Sequence, residues 1–241
     1  MKFRISSLLT SLVAVLASMQ VASAASLVVG VSDNTTIRLD TTNQGSSELL
    51  FAGDTTSTTN GLMRSVLAFD LSNPVLTGAT INSATLTFTV RNTDNGENAT
   101  MTLNLHELTS SFTNGGATWT SRDGTNDWTT PGGDFNASVL ASFTGNPTTV
   151  SPGDEVDFSG SGLTTAVEDS IGGTLNLLMK SATENHTTQN LFRFASTRNT
   201  LGNPDYPGPV LTIDYTPIPE PSAALLGGLG LLALLHRRRK G

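Results

Sequence analysis

The chain has 241 residues, with 13 basic and 20 acidic side chains and no cysteine. The lack of cysteine excludes disulfides, thiol catalysis and zinc–thiolate sites. Six basic residues but only one acidic residue lie in the two ends, so residues 25–218 carry a net charge of −12. Nucleic-acid binding needs clustered Lys and Arg, so this charge balance argues against a nucleic-acid partner.

The N-terminal residues have the three parts of a secretory signal peptide in the right order. Lys2 and Arg4 are basic, residues 8–16 are largely apolar, and Ala22-Ser23-Ala24 is a small-x-small cleavage motif. This pattern predicts a signal peptide over residues 1–24, cleaved by signal peptidase after Ala24.

The middle of the chain, residues 25–216, predicts one all-β domain. Apolar and polar residues alternate with period two, as in Ala84, Leu86 and Phe88 against Thr85 and Thr87, which is typical of half-buried strands. Glycine-rich turn signals separate the strands and favour a β-sandwich of about ten short antiparallel strands. The predicted strands are 27–31, 36–39, 48–51, 65–69, 83–90, 101–106, 138–143, 155–158, 175–179, 191–195 and 211–215.

One stretch of the middle has a helical rather than a strand period. Leu163, Ala166, Val167 and Ile171 fall on one helical face of residues 162–172. We predict a short helix there, ended by Gly172.

No catalytic motif stands out in the sequence. A Gly-x-Ser-x-Gly elbow and a phosphate-binding glycine loop are both missing. His106 lies on the polar face of a predicted strand and His186 in a predicted loop, and we expect both to be solvated rather than metal-bound. We therefore predict a non-enzymatic protein. Glycoside cleavage by paired carboxylates is kept as an alternative.

Both tryptophans of the chain lie in the polar stretch 118–135. An exposed indole face stacks on sugar rings, and neighbouring Asp, Asn and Arg side chains can bind sugar hydroxyls. The candidate ligand-binding residues are Trp128, Asp127, Asn126 and Arg122. The alternative is that the indoles pack in the core. We favour core packing for Trp119, as the continuation of a strand, and leave both interpretations open for Trp128.

Two groups of oxygen-bearing side chains could hold a structural Ca²⁺, the one cofactor that the sequence suggests. Asp123 and Asp134 flank Trp128, and Asp33, Asp40 and Asn43 lie near the start of the domain. Their spacing is not that of an EF-hand, and solvated turns are the alternative for both groups.

The C-terminal segment 217–241 combines a proline motif, an apolar run and a basic cluster. Pro219-Glu220-Pro221 precedes the apolar residues 223–235, and Arg237, Arg238 and Arg239 follow. As a helix, 13 residues span about 20 Å, which is less than a bilayer core of about 30 Å.

This segment resembles the PEP-CTERM sorting signal. The resemblance implies an exosortase partner, cleavage near Pro219-Glu220-Pro221 and transient inner-membrane anchoring through an apolar sorting helix at 223–235. The protein would then be secreted or at the cell surface of a Gram-negative bacterium.

Ordered pieces of residues 26–216 resemble the DNRLRE domain, a family grouped with carbohydrate-binding modules. The matching pieces are Thr36-Ile37-Arg38-Leu39, Arg64 to Ser72, Ala79 to Leu86, Gly116-Ala117-Thr118-Trp119, Trp128 to Phe135, Phe158 to Val167, Phe194 to Arg198 and Pro209 to Tyr215. The resemblance implies a jelly-roll β-sandwich. Because the family uses arginines within strands, we expect Arg64, Arg193 and Arg198 to clamp carboxylates such as Asp70 rather than bind ligand.

Together these features predict an exported, non-enzymatic, carbohydrate-binding-like protein of the surface or extracellular matrix. Its expected partners are signal peptidase, exosortase and extracellular polysaccharide. Two alternatives stay open, namely a purely structural matrix protein without a sugar pocket, and a polysaccharide lyase or hydrolase.

Overall fold

The computed structural model describes residues 23–58, 61–92, 100–184, 189–198 and 206–218. Contacts divide the chain into a body, Ala24–Pro217, and a second unit made of Met1–Ser23 and Ile218–Gly241. Several predictions lie outside the described residues, namely those for Ala22, His186, Pro219, Glu220, Pro221, the apolar run 223–235, and Arg237, Arg238 and Arg239. Within the described part of the chain, no helix has the length and apolarity needed to cross a membrane.

The body is an all-β fold, and each predicted strand has an observed counterpart. The strands are β1 Ala25–Gly30, β2 Asp33–Arg38, β3 Leu49–Asp54, β4 Leu62–Asp70, β5 Thr80–Asn92, β6 Met101–Leu108, β7 Phe135–Gly145, β8 Glu155–Ser159, β9 Thr174–Ser181, β10 Asn190–Ala195 and β11 Val210–Thr216. A 3-10 turn at Pro74–Leu76 precedes β5. The alternating apolar residues predicted most of these strands because one face of a strand lies against the core.

The strands form one curled antiparallel sheet that fits a β-sandwich-like fold. On one side the order is β1-β11-β5-β8. The far end of β5 pairs with β10, which continues through β3 to β4. On the other side the order is β2-β4-β9-β6-β7. The long strand β5 therefore joins the two halves that enclose the core.

The main core lies between these halves and is rich in phenylalanine. The Phe88 ring lies 5.6 Å from the Phe158 ring and 4.9 Å from the Phe194 ring. All three side chains are fully buried. Such close, tilted ring pairs add stabilisation beyond the area that they bury, so packing replaces the disulfides that this chain cannot form.

The predicted helix is present as α1, Ser161–Asp169, and its apolar face packs on the main core. Leu163, Ala166 and Val167 are buried, as the helical period indicates. The helix ends three residues before Gly172, because the Ser170 N–H already closes its last turn on the Val167 carbonyl. Gly172 instead forms a left-handed turn with φ +85° and donates to the Leu71 carbonyl.

Strand β4 is buried on both faces, which creates a second core. Leu67 and Phe69 face the main core, whereas Val66 and Ala68 face the opposite side of the sheet. The second core contains Ile37, Val66, Ala68, Leu108, Phe112, Ala117, Trp119, Trp128 and Leu178. Residues 109–134, hereafter the cover segment, supply its two tryptophans and shield this face from solvent.

The first and last strands of the body are neighbours. Ala25 at the start of β1 pairs with Tyr215 near the end of β11. Strand β1 begins at Ala25, the first residue after the predicted signal-peptide cleavage. Strand β11 ends at Thr216, and the proline-rich segment begins at the next residue.

Candidate functional site

The tip of the cover segment is a small hairpin that is fixed by one aspartate. Ser121 and Asp127 form an isolated bridge across it. The Asp123 carboxylate accepts hydrogen bonds from the Asn126 backbone and side chain and from the Thr125 N–H, at 2.7 to 2.9 Å. These bonds lower the pKa of Asp123 to about 2, so the carboxylate stays ionised and is used to hold the hairpin.

The end of the cover segment is fixed by a second aspartate. The two carboxylate oxygens of Asp134 accept the Thr129 N–H at 2.9 Å and the Thr130 N–H at 2.8 Å. Burial alone would raise the pKa of Asp134, but the hydrogen bonds from Thr129 and Thr130 outweigh it, and the pKa lies below its ordinary value. Asp134 therefore serves as an ionised cap of this turn.

Both tryptophans point into the second core. Trp128 is 4% exposed, and its indole N–H donates to the Thr118 carbonyl at 2.9 Å. This burial contradicts the possibility that Trp128 offers a ring face to a sugar, since the cover segment folds back onto the sheet. Asn126 and Asp127 are exposed on the hairpin tip. Arg122, with a 30% exposed side chain, lies 3.9 Å from Asp123.

Trp119 is buried as expected, but it lies in a bend rather than in a continuing strand. The Arg64 guanidinium lies over its ring, 4.7 Å from the ring centroid, and 5.5 Å from the Phe135 centroid. Gly132 passes close by, and its carbonyl accepts from Arg64 at 2.6 Å. The cover segment is thus attached to β4 through one arginine.

The carboxylate partner of Arg64 is Glu184. The prediction that Asp70 would be the partner is wrong. Asp70 instead accepts the Ser72 N–H in its own turn. Lys180 also contacts Glu184, at 3.3 Å. Burial raises the pKa of Glu184, but Arg64 and Lys180 outweigh this effect and lower it. The predicted clamp role of Arg64 is nevertheless confirmed by this geometry.

The other two arginines have different surroundings, because Arg193 lies in β10 and Arg198 lies in the turn after it. The Arg198 guanidinium lies 3.9 Å from the Asp33 carboxylate, so it also has a carboxylate neighbour. The Arg193 guanidinium lies 5.7 Å from the Phe51 ring centroid. Arg198 therefore fits the clamp expectation, and Arg193 adds a cation–π contact that the sequence did not suggest.

His106 is buried, and the prediction that it is solvated is wrong. It is 5% exposed, and its ring lies 5.0 Å from the Phe135 ring. Its Nδ1 lies 3.0 Å from the Asn136 carbonyl and 3.1 Å from the Ser138 carbonyl. Burial is the largest cause that lowers the pKa of His106, so the neutral ring donates its Nδ1–H to these carbonyls.

Most of the predicted calcium ligands are engaged in turns. Asp33 accepts hydrogen bonds from the backbone and side chain of Asn114. Asp40 pairs with Arg38 at 2.9 Å. The Asn43 side chain donates to the Asn114 and Ala117 carbonyls. Among the described residues, no group of three or more His, Asp or Glu side chains is placed to hold a metal ion.

Two open grooves flank the first half of β7, and the sequence did not indicate either of them. The first, hereafter the hydroxyl groove, has a volume of about 510 Å³ and is lined by Thr109, Ser110, Thr129, Thr130, Gly133, Asp134, Phe135 and Ala137. The second, hereafter the helix groove, has a volume of about 350 Å³ and is lined by Glu107, Asn136, Leu140, Ser161, Gly162, Thr165, Ala166 and Asp169. The Ser/Thr pairs at 109–110 and 129–130 were the available signal for the first groove.

Fold and sequence together define an all-β body that is joined to a processing segment. Residues 217–240 match the PEP-CTERM protein-sorting motif, which indicates an exported protein sorted to the cell envelope by an exosortase. No curated protein matches the chain. The motif begins at the residue after β11. It therefore identifies how the protein is sorted and says nothing about the role of the body. The DNRLRE resemblance stays a prediction.

Proposed function

We propose that the body is a non-enzymatic module that binds polysaccharide at the cell surface or in the extracellular matrix, through the hydroxyl groove. The observation that carries this proposal is the lining of the groove. Thr109, Thr129 and Thr130 are exposed, and they line it together with Ser110 and the Asp134 carboxylate. Hydroxyls both donate and accept hydrogen bonds, so they match the hydroxyls of a sugar chain.

The aromatic wall of the groove supports the same ligand class. Phe135 is half-buried and lines the groove, where its ring can contact the apolar face of a sugar. We therefore propose the sugar contact at Phe135, because Trp128 is buried. The proposed sugar site therefore lies a few residues after the site that the sequence suggested. It is at the end of the cover segment and not at the hairpin tip.

Binding is favoured over cleavage by the state of the carboxylate in the groove. A glycosidase needs a carboxylic acid with a raised pKa to protonate the leaving oxygen. The pKa of Asp134 is instead lowered, and both of its oxygens accept backbone N–H groups. Asp134 is therefore a poor general acid, and its ordered charge serves the turn.

The charge of the body selects among polymers. Residues 25–218 carry a net charge of −12, which repels a polyanion at long range. We therefore propose a neutral polysaccharide as the ligand. A purely structural matrix role remains the second candidate, because the burial of both tryptophans removes the ring faces that many sugar sites use.

Affinity electrophoresis of residues 25–216 through gels that contain neutral or acidic polysaccharides tests the proposal. Ala137 is exposed and lines the groove, whereas Ser142 is exposed on the same strand outside it. We expect retardation by a neutral polymer that Ala137→Arg abolishes and Ser142→Arg retains. Lack of retardation of the folded protein by every polymer would favour the structural role. New reducing or unsaturated ends in the polymer would establish an enzyme.

A further inference from the structure

Strand β7 carries a large bulge, and this strand lies on the edge of the sheet. Leu108 of β6 pairs with Phe135, and His106 pairs with Val139. Glu107 alone therefore faces three residues of β7, numbered 136–138. Among the described strands β7 pairs only with β6, so this bulge projects from a sheet edge. Bulges of this kind redirect side chains at functional positions.

The three bulged residues are Asn136-Ala137-Ser138, which is an Asn-x-Ser acceptor sequence for N-glycosylation. All three are exposed. The Asn136 side-chain oxygen accepts the Ser138 N–H at 3.0 Å, which bends the acceptor sequence back on itself. The buried His106 ring binds the Asn136 and Ser138 carbonyls from behind, so the bulge is built into the fold.

The structure distinguishes this acceptor sequence from another in the same chain. The sequence contains four, which begin at Asn34, Asn98, Asn136 and Asn185. Asn34 is 2% exposed in β2, and its amide donates to Thr197 at 2.8 Å, so a transferase cannot reach it in the folded body. Asn98 and Asn185 lie outside the described residues. Of the two acceptor asparagines that the structure describes, only Asn136 is accessible.

We propose that Asn136 is an N-glycosylation site of the exported protein. The donor class is an oligosaccharide linked to a polyprenyl diphosphate. The Asn136 Nδ2 forms a bond to the anomeric carbon of the glycan, and the bond from that carbon to the diphosphate oxygen breaks. The polyprenyl diphosphate leaves with the electron pair, and Nδ2 loses one proton. The ionised Asp134, two residues earlier, places a negative charge beside the acceptor for a cationic group of the transferase.

A glycan at this position has a physical use. An edge strand presents unpaired backbone groups that can pair with another chain, and proteins block such edges in several ways. A bulky, hydrated glycan at Asn136 hinders another chain from pairing with the edge of β7. The proposal rests on export, which the sorting motif indicates, and is independent of polysaccharide binding in the hydroxyl groove.

The test expresses the full chain in a bacterium that carries an oligosaccharyltransferase and a polyprenyl-diphosphate oligosaccharide of known mass. We expect the intact mass of the exported protein to increase by one glycan. Asn136→Gln and Ser138→Ala should abolish the increment, whereas Ser138→Thr, which preserves the acceptor sequence, should retain it. Near-ultraviolet circular dichroism, which reports the packed tryptophans, checks that each variant is folded.

Two results would overturn the proposal, namely an unmodified wild-type protein and an increment that persists in Asn136→Gln. The variant Ala137→Arg separates this proposal from the previous one. It preserves the acceptor sequence, so it should still gain the glycan, although it should lose retention on the polysaccharide gel.

Discussion

The Arg64 guanidinium and the Glu184 carboxylate form a two-pronged ion pair, with both N–O distances at 2.8 Å, across 120 positions of sequence. The pair joins β4 to the chain that follows β9, beneath Trp119 of the cover segment. Both side chains are nearly buried, at 11% and 13% exposure. Removal of Glu184 leaves the nearly buried Arg64 guanidinium without its carboxylate partner.

We therefore expect Glu184→Gln to lower the free energy of unfolding by about 3 kcal/mol, in the range for broken buried ion pairs. Arg64→Lys should also destabilise, because lysine cannot form the planar two-pronged contact. Urea denaturation measures both. Lys180→Met, which leaves the Arg64–Glu184 contacts in place, is the control. A control loss as large as that of Glu184→Gln would contradict the central role of Arg64.

Gly132 should tolerate no side chain. Its φ of +95° lies in the left-handed region, and a Cβ there would lie 2.6 Å from the Arg64 Nη1 and 2.8 Å from the Trp119 ring. Gly132→Ala should cost about 3 kcal/mol, through backbone strain and the displaced ring and guanidinium. The matched control is Gly124→Ala, whose φ is +85° but whose Cβ would meet its nearest atom at 3.4 Å. It should cost only about 1 kcal/mol, and equal costs would rule out the crowding argument.

Trp128 should be a structural residue rather than a ligand platform. We expect Trp128→Ala to lower the free energy of unfolding by about 4 kcal/mol, because it opens a cavity in the second core. Trp128→Phe should cost less, mainly the hydrogen bond to the Thr118 carbonyl, worth about 1 kcal/mol. Chemical denaturation followed by far-ultraviolet circular dichroism gives both values. A stable Trp128→Ala protein would show that the second core does not depend on this ring.

Stability should fall in two separate pH windows. The folded pKa of His106 lies below its ordinary value of 6.5, so the unfolded chain binds this proton more readily. The stabilisation is complete above pH 6.5 and is lost as the pH falls through and below that value. Denaturation series from pH 8 to 5 should show this loss in wild type, and His106→Asn should remove it. An unchanged slope in the variant would exclude His106 as the cause.

The carboxylates act in a lower window with the same sign. The folded pKa values of Glu184 and Asp134 lie below their ordinary values of 4.5 and 3.8. Their stabilisation is therefore present above pH 4.5 and is lost at lower pH. Glu184→Gln should reduce the acid sensitivity of unfolding below pH 4.5 and leave the His106 window unchanged. The same denaturation series, extended to pH 3, checks this expectation.

The strands could be predicted because period-two alternation follows directly from burial of one face. The second core was signalled more weakly. Val66-Leu67-Ala68-Phe69 is a continuous apolar run, which indicates burial on both faces, yet the sequence does not say what covers the second face. His106 was placed on a polar face because it alternates with Leu105 along β6. Thr102 and Asn104 on that face are only half-buried, but His106 is buried against Phe135.

The candidate site was less predictable, because its parts come from distant positions. The choice of Glu184 over Asp70 by Arg64 depends on the three-dimensional path of the chain after β9. The bulge at 136–138 depends on the pairing register between β6 and β7, and a local pattern does not encode it. The Ser/Thr pairs that line the hydroxyl groove are a weak sequence signal, and only the fold brings them together beside β7.

The pairing of Ala25 with Tyr215 has a consequence for folding during export. Among the described strands β1 pairs only with β11, and 190 positions separate this residue pair. A contact of such high sequence separation forms late, because nearly the whole body must be gathered before it closes. Until β11 has crossed the membrane, β1 has no partner and the sheet stays open at that edge. Because the sorting motif begins at the next residues, the completed sheet and the exosortase substrate become available at the same time.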